Sequence, residues 1–138
     1  MILSTQTSKI GARISDAKTI ELIAKSGFDA IDYSMFKMKK EDCILNTNEY
    51  EKYALGLKRL AGECGIFFNQ AHAPFPSYKS DDSKYNKATF EKIIRAMEIA
   101  SILGAKHIVV HPIQAAKEQK NLILTFTIAF CLIASSTI

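Results

Sequence analysis

The chain has 138 residues, of which 48% are hydrophobic and 23% are charged, with six Gly and three Pro. These values exclude disordered, collagen-like and low-complexity architectures, because nearly half of the residues can be buried against one another, and the length favours one globular domain. The net charge of +4, from 18 Lys and Arg against 14 Asp and Glu, would help an anionic ligand approach without requiring one.

Cysteine usage and the N-terminus indicate a cytoplasmic protein. Cys43, Cys64 and Cys131 are odd in number, widely spaced and without a CxxC pair. They therefore predict neither a disulfide framework nor a zinc knuckle, and a reducing compartment fits best. The opening MILSTQTSKIGAR has a short apolar run that precedes its basic residues, the reverse of a secretory signal.

Three segments share one design, in which the end of a helix is followed by a glycine and then a strand. Gly27, Gly65 and Gly104 mark these segments, at spacings of 38 and 39 residues. Glycine suits the position after a helix because the chain often turns there through a positive φ. A period of this length accommodates one strand, one helix and two loops.

In chain order, the pattern predicts four strands with three helices between them. Asp16 is expected to cap the first helix, and Asn48 with Glu51 resembles a capping box before the second. The expected strands are 2–5, 28–33, 66–71 and 107–111, and the expected helices run to about Ser26, to Cys64 and over 83–103. The side chains of the third helix expected to face inward are Phe90, Ile93, Ile94, Met97 and Ala100.

Strands that alternate with amphipathic helices indicate an α/β fold of parallel βα repeats. No GxGxxG or GxxxxGK[ST] motif follows the first strand, which disfavours a nucleotide-binding open sheet. The regular period favours a (β/α)8 barrel, which would need about 308 residues at this spacing. Residues 1–120 are therefore predicted to form about half of a TIM barrel.

Two segments, FNQAHAPFPSY (68–78) and GAKHIVVHP (104–112), resemble the xylose isomerase-like TIM barrels, specifically the sugar phosphate isomerase/epimerase family. The resemblance covers roughly residues 1–118, and the superfamily also includes apurinic-site nucleases of the endonuclease IV type. It implies an enzyme that binds a small sugar or sugar phosphate. The complete family enzyme would use a divalent Mn, Mg, Co or Zn ion to interconvert keto sugars.

The repeat places polar side chains at the predicted mouth of the barrel. Ser34, His72 and His111 lie seven residues after the three glycines, whereas Asp32 and Gln70 lie five after the first two. Offsets that differ by two share a strand face. We therefore expect the first three side chains to form one layer at the C-terminal mouth, and Asp32 and Gln70 to lie one layer deeper, together with Val109. His107 begins its strand at the opposite end.

His72 and His111 could bind a divalent metal, orient a sugar hydroxyl or carry protons near neutral pH. The resemblance implies metal ligands in the nuclease branch and a substrate pocket in the isomerase branch. Asp32 is either a substrate contact or a buried partner of Gln70. Phe75 is either an apolar wall for a sugar or part of a proline-stiffened loop.

Other features limit the functional prediction. The resembled enzymes take their metal-binding and acid/base carboxylates from later strands, which no part of this chain matches, so no catalytic residue is assigned and the chain alone is expected to be inactive. The KMKKED run (37–42) is either a solvated loop or a place where Lys37, Lys39 and Lys40 attract phosphate. Only three Arg occur, so a nuclease fragment and a nucleic-acid partner are disfavoured.

The last eighteen residues, 121–138, contain no charge, and twelve of them are apolar. This tail lacks the polar stripe of an amphipathic helix. Its expected origin is a frameshift or another truncation of a longer enzyme, with a membrane anchor as the alternative. A non-catalytic half-barrel that self-associates through its open edges or its tail is the third interpretation of the chain.

Overall fold

The structure is a computed structural model that describes residues 1–111. The predicted boundary at residue 120 and the tail 121–138 lie outside the described residues. Two short 3₁₀ helices, Phe36–Lys39 and Ile44–Asn46, follow the second strand. The main elements are β1 (Ser4–Gln6), α1 (Asp16–Lys25), β2 (Ala30–Ser34), α2 (Tyr50–Glu63), β3 (Phe67–His72), α3 (Ser83–Leu103) and β4 (His107–Val109).

The four strands form one parallel sheet in the order β1-β2-β3-β4. This arrangement confirms the predicted α/β fold of parallel βα repeats. A register shift between Ile31 and Asp32 in the pairing of β2 with β3 places Gln70, rather than Asn69, opposite Asp32. The same shift places His72 opposite Ser34, so that the polar residues of these two strands lie side by side.

The three repeat glycines turn the chain between a helix and the following strand. Gly27, Gly65 and Gly104 have φ angles of 82°, 71° and 83°, as the sequence predicts. A residue with a Cβ is strained in this left-handed region, which explains why the repeat keeps glycine there.

The predicted helix caps are wrong at both places. Ser15 caps α1, because its hydroxyl accepts from the Lys18 amide at 3.3 Å, while Asp16 is the first helical residue and is buried. The second helix begins at Tyr50 without a side-chain cap. Thr47 Oγ1 accepts instead from the Glu49 amide at 3.2 Å, so a local turn takes the place of the expected capping box.

The hydrophobic core lies between the sheet and the helices. Ile93, Ala100 and the partly buried Met97 of α3 pack into it as predicted, but Phe90 and Ile94 are exposed on the outer side of the helix. The small side chain of Ala96 is fully buried. The inward-facing side of α3 therefore includes Ala96 in place of the predicted Phe90 and Ile94. No helix within residues 1–111 is long and apolar enough to cross a membrane.

Candidate functional site at the carboxyl ends of the strands

Polar and aromatic side chains gather where β2, β3 and β4 end, which is the edge at which parallel α/β barrels place their chemistry. Two come from strand interiors, one ends β3, and the other three lie in the segments that follow β2, β3 and β4. We call this set the mouth cluster, and its members are Asp32, Gln70, His72, His111, Phe36 and Phe75.

Asp32 joins two residues of the neighbouring strand. Its Oδ1 lies 2.8 Å from His72 Nδ1, and its Oδ2 accepts from Gln70 Nε2 at 2.9 Å. The Asp32 and His72 side chains are each only 14% exposed, so solvent screens their interaction weakly. Both carboxylate oxygens are thereby engaged within the sheet. Asp32 is thus a partly buried partner of Gln70, in line with one of its two predicted roles, and a contact with substrate stays a prediction.

The bond to Asp32 determines which nitrogen of His72 carries the proton. A carboxylate can only accept, so Nδ1 must donate the proton that joins the two side chains. In the neutral ring, Nε2 is then an acceptor. This is the arrangement by which a carboxylate fixes both the tautomer and the orientation of a histidine that acts on a ligand.

The imidazole ring of His111 lies beside that of His72. The two imidazole centroids are 5.9 Å apart, and the Phe75 ring stands edge-on to His111 at 4.8 Å. Ser77 Oγ donates to the His111 carbonyl at 2.8 Å, which holds the loop after β3 against the end of β4. The structure therefore brings together His72, His111, Asp32 and Phe75, the four residues singled out from the sequence. Their part in binding stays a prediction.

Phe36 is a member of the mouth cluster that the sequence did not reveal. Its ring lies 6.1 Å from that of His72 and 6.4 Å from those of Phe75 and His111. The one signal was its position two residues beyond the end of β2, comparable to that of Phe75 three residues beyond β3. The two phenyl rings give the cluster an apolar side.

The predicted layers are only partly correct. Asp32 does pair with Gln70, and Ser34 with His72, but β4 is displaced by two residues, so that His72 lies opposite Val109 and Gln70 opposite His107. Closing a barrel requires strands to be staggered, and equal counting from each glycine ignores that stagger. His107 begins β4 as expected, yet it is level with Gln70.

Ser34 contributes a hydroxyl that has no partner among the described residues. The residue is 7% exposed, its amide donates to Thr7 Oγ1 at 2.9 Å, and its Oγ makes no hydrogen bond within residues 1–111. Ser34 shares a strand face with Asp32, two residues earlier, so its side chain belongs to the face that carries the mouth cluster.

Lys37, which the sequence assigns either to a solvated loop or to a phosphate-attracting surface, is engaged by a carboxylate within the protein. Its ammonium pairs with Asp16, which also accepts from the Tyr33 hydroxyl at 2.6 Å and the Tyr53 hydroxyl at 3.0 Å. The ammonium lies 5.5 Å from both ring centroids. Burial, followed by the charge of Asp16, raises the pKa of Tyr33 and of Tyr53. Of the three lysines in the KMKKED run, Lys39 and Lys40 are exposed.

The described residues do not make a complete metal site. Within residues 1–111, no group of three or more His, Cys, Asp and Glu side chains could hold a metal ion. His72 and His111 supply two imidazoles, whereas catalytic zinc takes three protein ligands and structural zinc four. Metal binding by these two histidines remains a prediction that needs ligands beyond the mouth cluster.

Comparisons with known proteins identify the fold. No protein-family model matches the chain, and no curated protein does so either. The crystal structure of a sugar phosphate isomerase/epimerase from Parabacteroides distasonis ATCC 8503 is similar, with a TM-score of 0.51 and 19% identity, over 83% of this chain and 40% of that one. A xylose isomerase domain protein from Alicyclobacillus acidocaldarius subsp. acidocaldarius has a TM-score of 0.56 and 11% identity, over 88% and 41%.

The chain therefore spans about two fifths of the length of these solved structures. At such identities the likeness shows the fold alone. It confirms that the described residues have the fold of one part of a larger TIM-barrel-like protein, as the sequence predicts.

Proposed function

We propose that the mouth cluster binds a sugar or sugar phosphate, as part of the site of an isomerase or epimerase that interconverts keto sugars. The observation that carries this proposal is the placement of two imidazoles, one of them oriented by a partly buried carboxylate, beside two phenyl rings. The fold of the two similar solved structures supports it, since one is a sugar phosphate isomerase/epimerase and the other a xylose isomerase domain protein.

The chemistry of the mouth cluster suits a sugar. One face of a pyranose or an extended keto sugar carries C–H groups, which pack against aromatic rings such as those of Phe36 and Phe75. Imidazole nitrogens exchange hydrogen bonds with hydroxyl groups, and His72 and His111 lie close enough to act on neighbouring ones. An anionic end group would be drawn by the net positive charge of the chain.

The described residues hold the substrate rather than complete the reaction. Shifting a proton between two sugar carbons needs a base and an acid at those carbons, and usually a metal ion that polarises the carbonyl. The carboxylate of Asp32 is already engaged by His72 and Gln70. We propose that later strands of a longer enzyme supply the acid, the base and the remaining ligands of a divalent ion. A cytoplasmic location is part of the same proposal.

The nuclease alternative lacks an observation in its favour. Arg59 pairs with Glu63 at 3.6 Å, while Arg95 donates to the Asn46 carbonyl at 2.6 Å and stacks over Tyr50 at 4.8 Å. Neither contacts the mouth cluster, so neither offers a wedge or a phosphate clamp beside the two histidines, and the third arginine, Arg13, is exposed in the segment between β1 and α1.

Calorimetric titration of the full chain with D-xylulose tests the proposal. Phe75→Ala should weaken binding roughly threefold to tenfold, because it removes the ring that packs against His111. Leu55→Ala is the matched control, since Leu55 is similarly exposed, at 57% against 49%, but lies on α2. Equal affinity in both variants, or no binding by the parent chain, would contradict a sugar site at the mouth cluster.

A further inference from the structure

Two neighbouring strands each carry, at the mouth, a polar side-chain atom without a hydrogen-bond partner in residues 1–111. Ser34 and His72 are register partners on β2 and β3, whose backbones lie about 4.8 Å apart. The Ser34 hydroxyl is buried and unpaired. The Nδ1 atom of His72 is taken by Asp32, which leaves Nε2 as the nitrogen open to a ligand.

The two atoms have opposite hydrogen-bonding characters. The buried hydroxyl of Ser34 has a proton to donate, whereas Nε2 of the neutral His72 ring offers a lone pair. A buried polar group without a partner is costly, so a group that pairs with both atoms at once would be favoured over one that pairs with neither.

We propose that Ser34 and His72 form a subsite for one uncharged hydroxyl group of the ligand, which donates to His72 Nε2 and accepts from Ser34 Oγ. A hydroxyl group is both a donor and an acceptor, and it satisfies both atoms. A carboxylate or phosphate oxygen can only accept, and would meet the lone pair of Nε2 without a proton between them. This inference rests on the proposed sugar-binding function and adds to it which chemical group is taken at this position.

In this subsite Asp32 is a positioning residue. It touches no ligand, because both of its oxygens are engaged, but it fixes the tautomer on which the selectivity depends. Gln70 holds the carboxylate from its other side. Without Asp32, the His72 ring would be able to carry its proton on Nε2, and the subsite would then present two donors and accept an anion.

The tautomer can be read directly in the unmodified chain. Long-range ¹H–¹⁵N spectra of the full protein at a pH where His72 is neutral distinguish a protonated Nδ1 from a protonated Nε2. We expect Nδ1 to carry the proton in the parent chain and this preference to be lost in Asp32→Asn. Asp42→Asn, an exposed carboxylate outside the mouth cluster, is the matched control and should leave the His72 spectrum unchanged.

Selectivity is measured with xylitol and xylonate, which differ by one terminal group. The parent chain should bind xylitol more tightly than xylonate, and Ser34→Ala should weaken xylitol binding up to about tenfold while leaving the xylonate affinity unchanged. Ser101→Ala removes an exposed hydroxyl on α3 and should change neither affinity. Asp32→Asn should reduce the preference for xylitol without abolishing binding through the aromatic rings.

The outcomes separate this inference from the proposed function. Sugar binding at Phe75 and His111 that is indifferent to Ser34→Ala, or a parent His72 protonated at Nε2, would overturn the hydroxyl subsite and leave the sugar site standing. Failure of xylitol, xylonate and D-xylulose to bind at all would overturn both. A bond from added Zn²⁺ to His72 Nε2 that persists in the presence of xylitol would also overturn the subsite, since that lone pair would then belong to the metal.

Discussion

Removal of the Asp16 carboxylate should destabilise the protein strongly, because the group is buried and every donor around it depends on its charge. Asp16 is 7% exposed and receives three donors, from Tyr33, Tyr53 and Lys37. The two tyrosine hydrogen bonds to this charged carboxylate contribute about 3–6 kcal/mol to the free energy of unfolding if they are simply summed. Tyr53 and Lys37 can turn partly to water when the carboxylate is lost, whereas Tyr33, at 1% exposure, cannot.

We therefore expect Asp16→Ala to lower the free energy of unfolding by about 3–5 kcal/mol, in the range found when one partner of a buried charge pair is removed. Tyr33→Phe should cost less, about 1–3 kcal/mol, because it removes one hydroxyl and leaves the carboxylate with two other donors. The matched control is Asp42→Ala in an exposed loop, for which a change within about 0.5 kcal/mol is expected.

Urea unfolding of the three variants, followed by circular dichroism, measures these differences. The transitions must keep the slope of the parent chain for the free energies to be comparable. If Asp16→Ala unfolded at the same urea concentration as Asp42→Ala, the buried cluster around Asp16 would contribute nothing net, and its description as a stabilising contact between α1 and β2 would be wrong.

The titrating tyrosines, the missing carboxylates and the tail each give a further prediction. Burial raises the pKa of Tyr33 and Tyr53 in the folded protein, whereas an unfolded tyrosine ionises near pH 10, so the free energy of unfolding should fall as the pH rises above about 10. Tyr33→Phe should make that fall less steep when urea unfolding is measured at alkaline pH. An equally steep fall in the variant would contradict a contribution from Tyr33. The purified chain should show no turnover of a keto sugar above background, and turnover abolished by a chelator would refute this. Deleting 121–138 should change self-association in analytical ultracentrifugation while leaving any weak metal affinity of His72 and His111 unchanged, whereas loss of metal binding alone would place the tail in the site.

Much of the fold could be predicted because the repeat depends on local chemistry. Gly27, Gly65 and Gly104 end helices in a backbone conformation that other residues avoid. The positions of these helix ends can therefore be predicted from the glycines alone, without knowledge of packing. The predicted bounds of α3 agree with the structure, since a long apolar stripe between a polar loop and a glycine defines both ends. The stagger of β4 was not predictable in this way, because it depends on the closure of the sheet.

The sequence predicted which residues form the site better than it predicted which of their side chains touch. His72 and His111 share an offset from their glycines, and this singles them out. The offsets also give the pairing of Asp32 with Gln70, but the diagonal contact between Asp32 and His72 depends on side-chain orientation, which the offsets do not give. The ion pair of Lys37 was hidden for a similar reason: its partner Asp16 is 21 residues away, and only the packing of α1 against β2 brings the two together.

The proposed function depends on one edge of a parallel half-barrel, where Asp32, His72, His111 and two phenyl rings would form a sugar-binding mouth. The most direct test is a map of amide and side-chain chemical shifts of the labelled full chain as D-xylulose is added. We expect the largest changes to fall on His72, His111 and Phe75, with Phe36 following and the outer face of α2 unchanged. Changes confined to the helices, or none at a sugar concentration that saturates a millimolar site, would contradict a sugar-binding mouth.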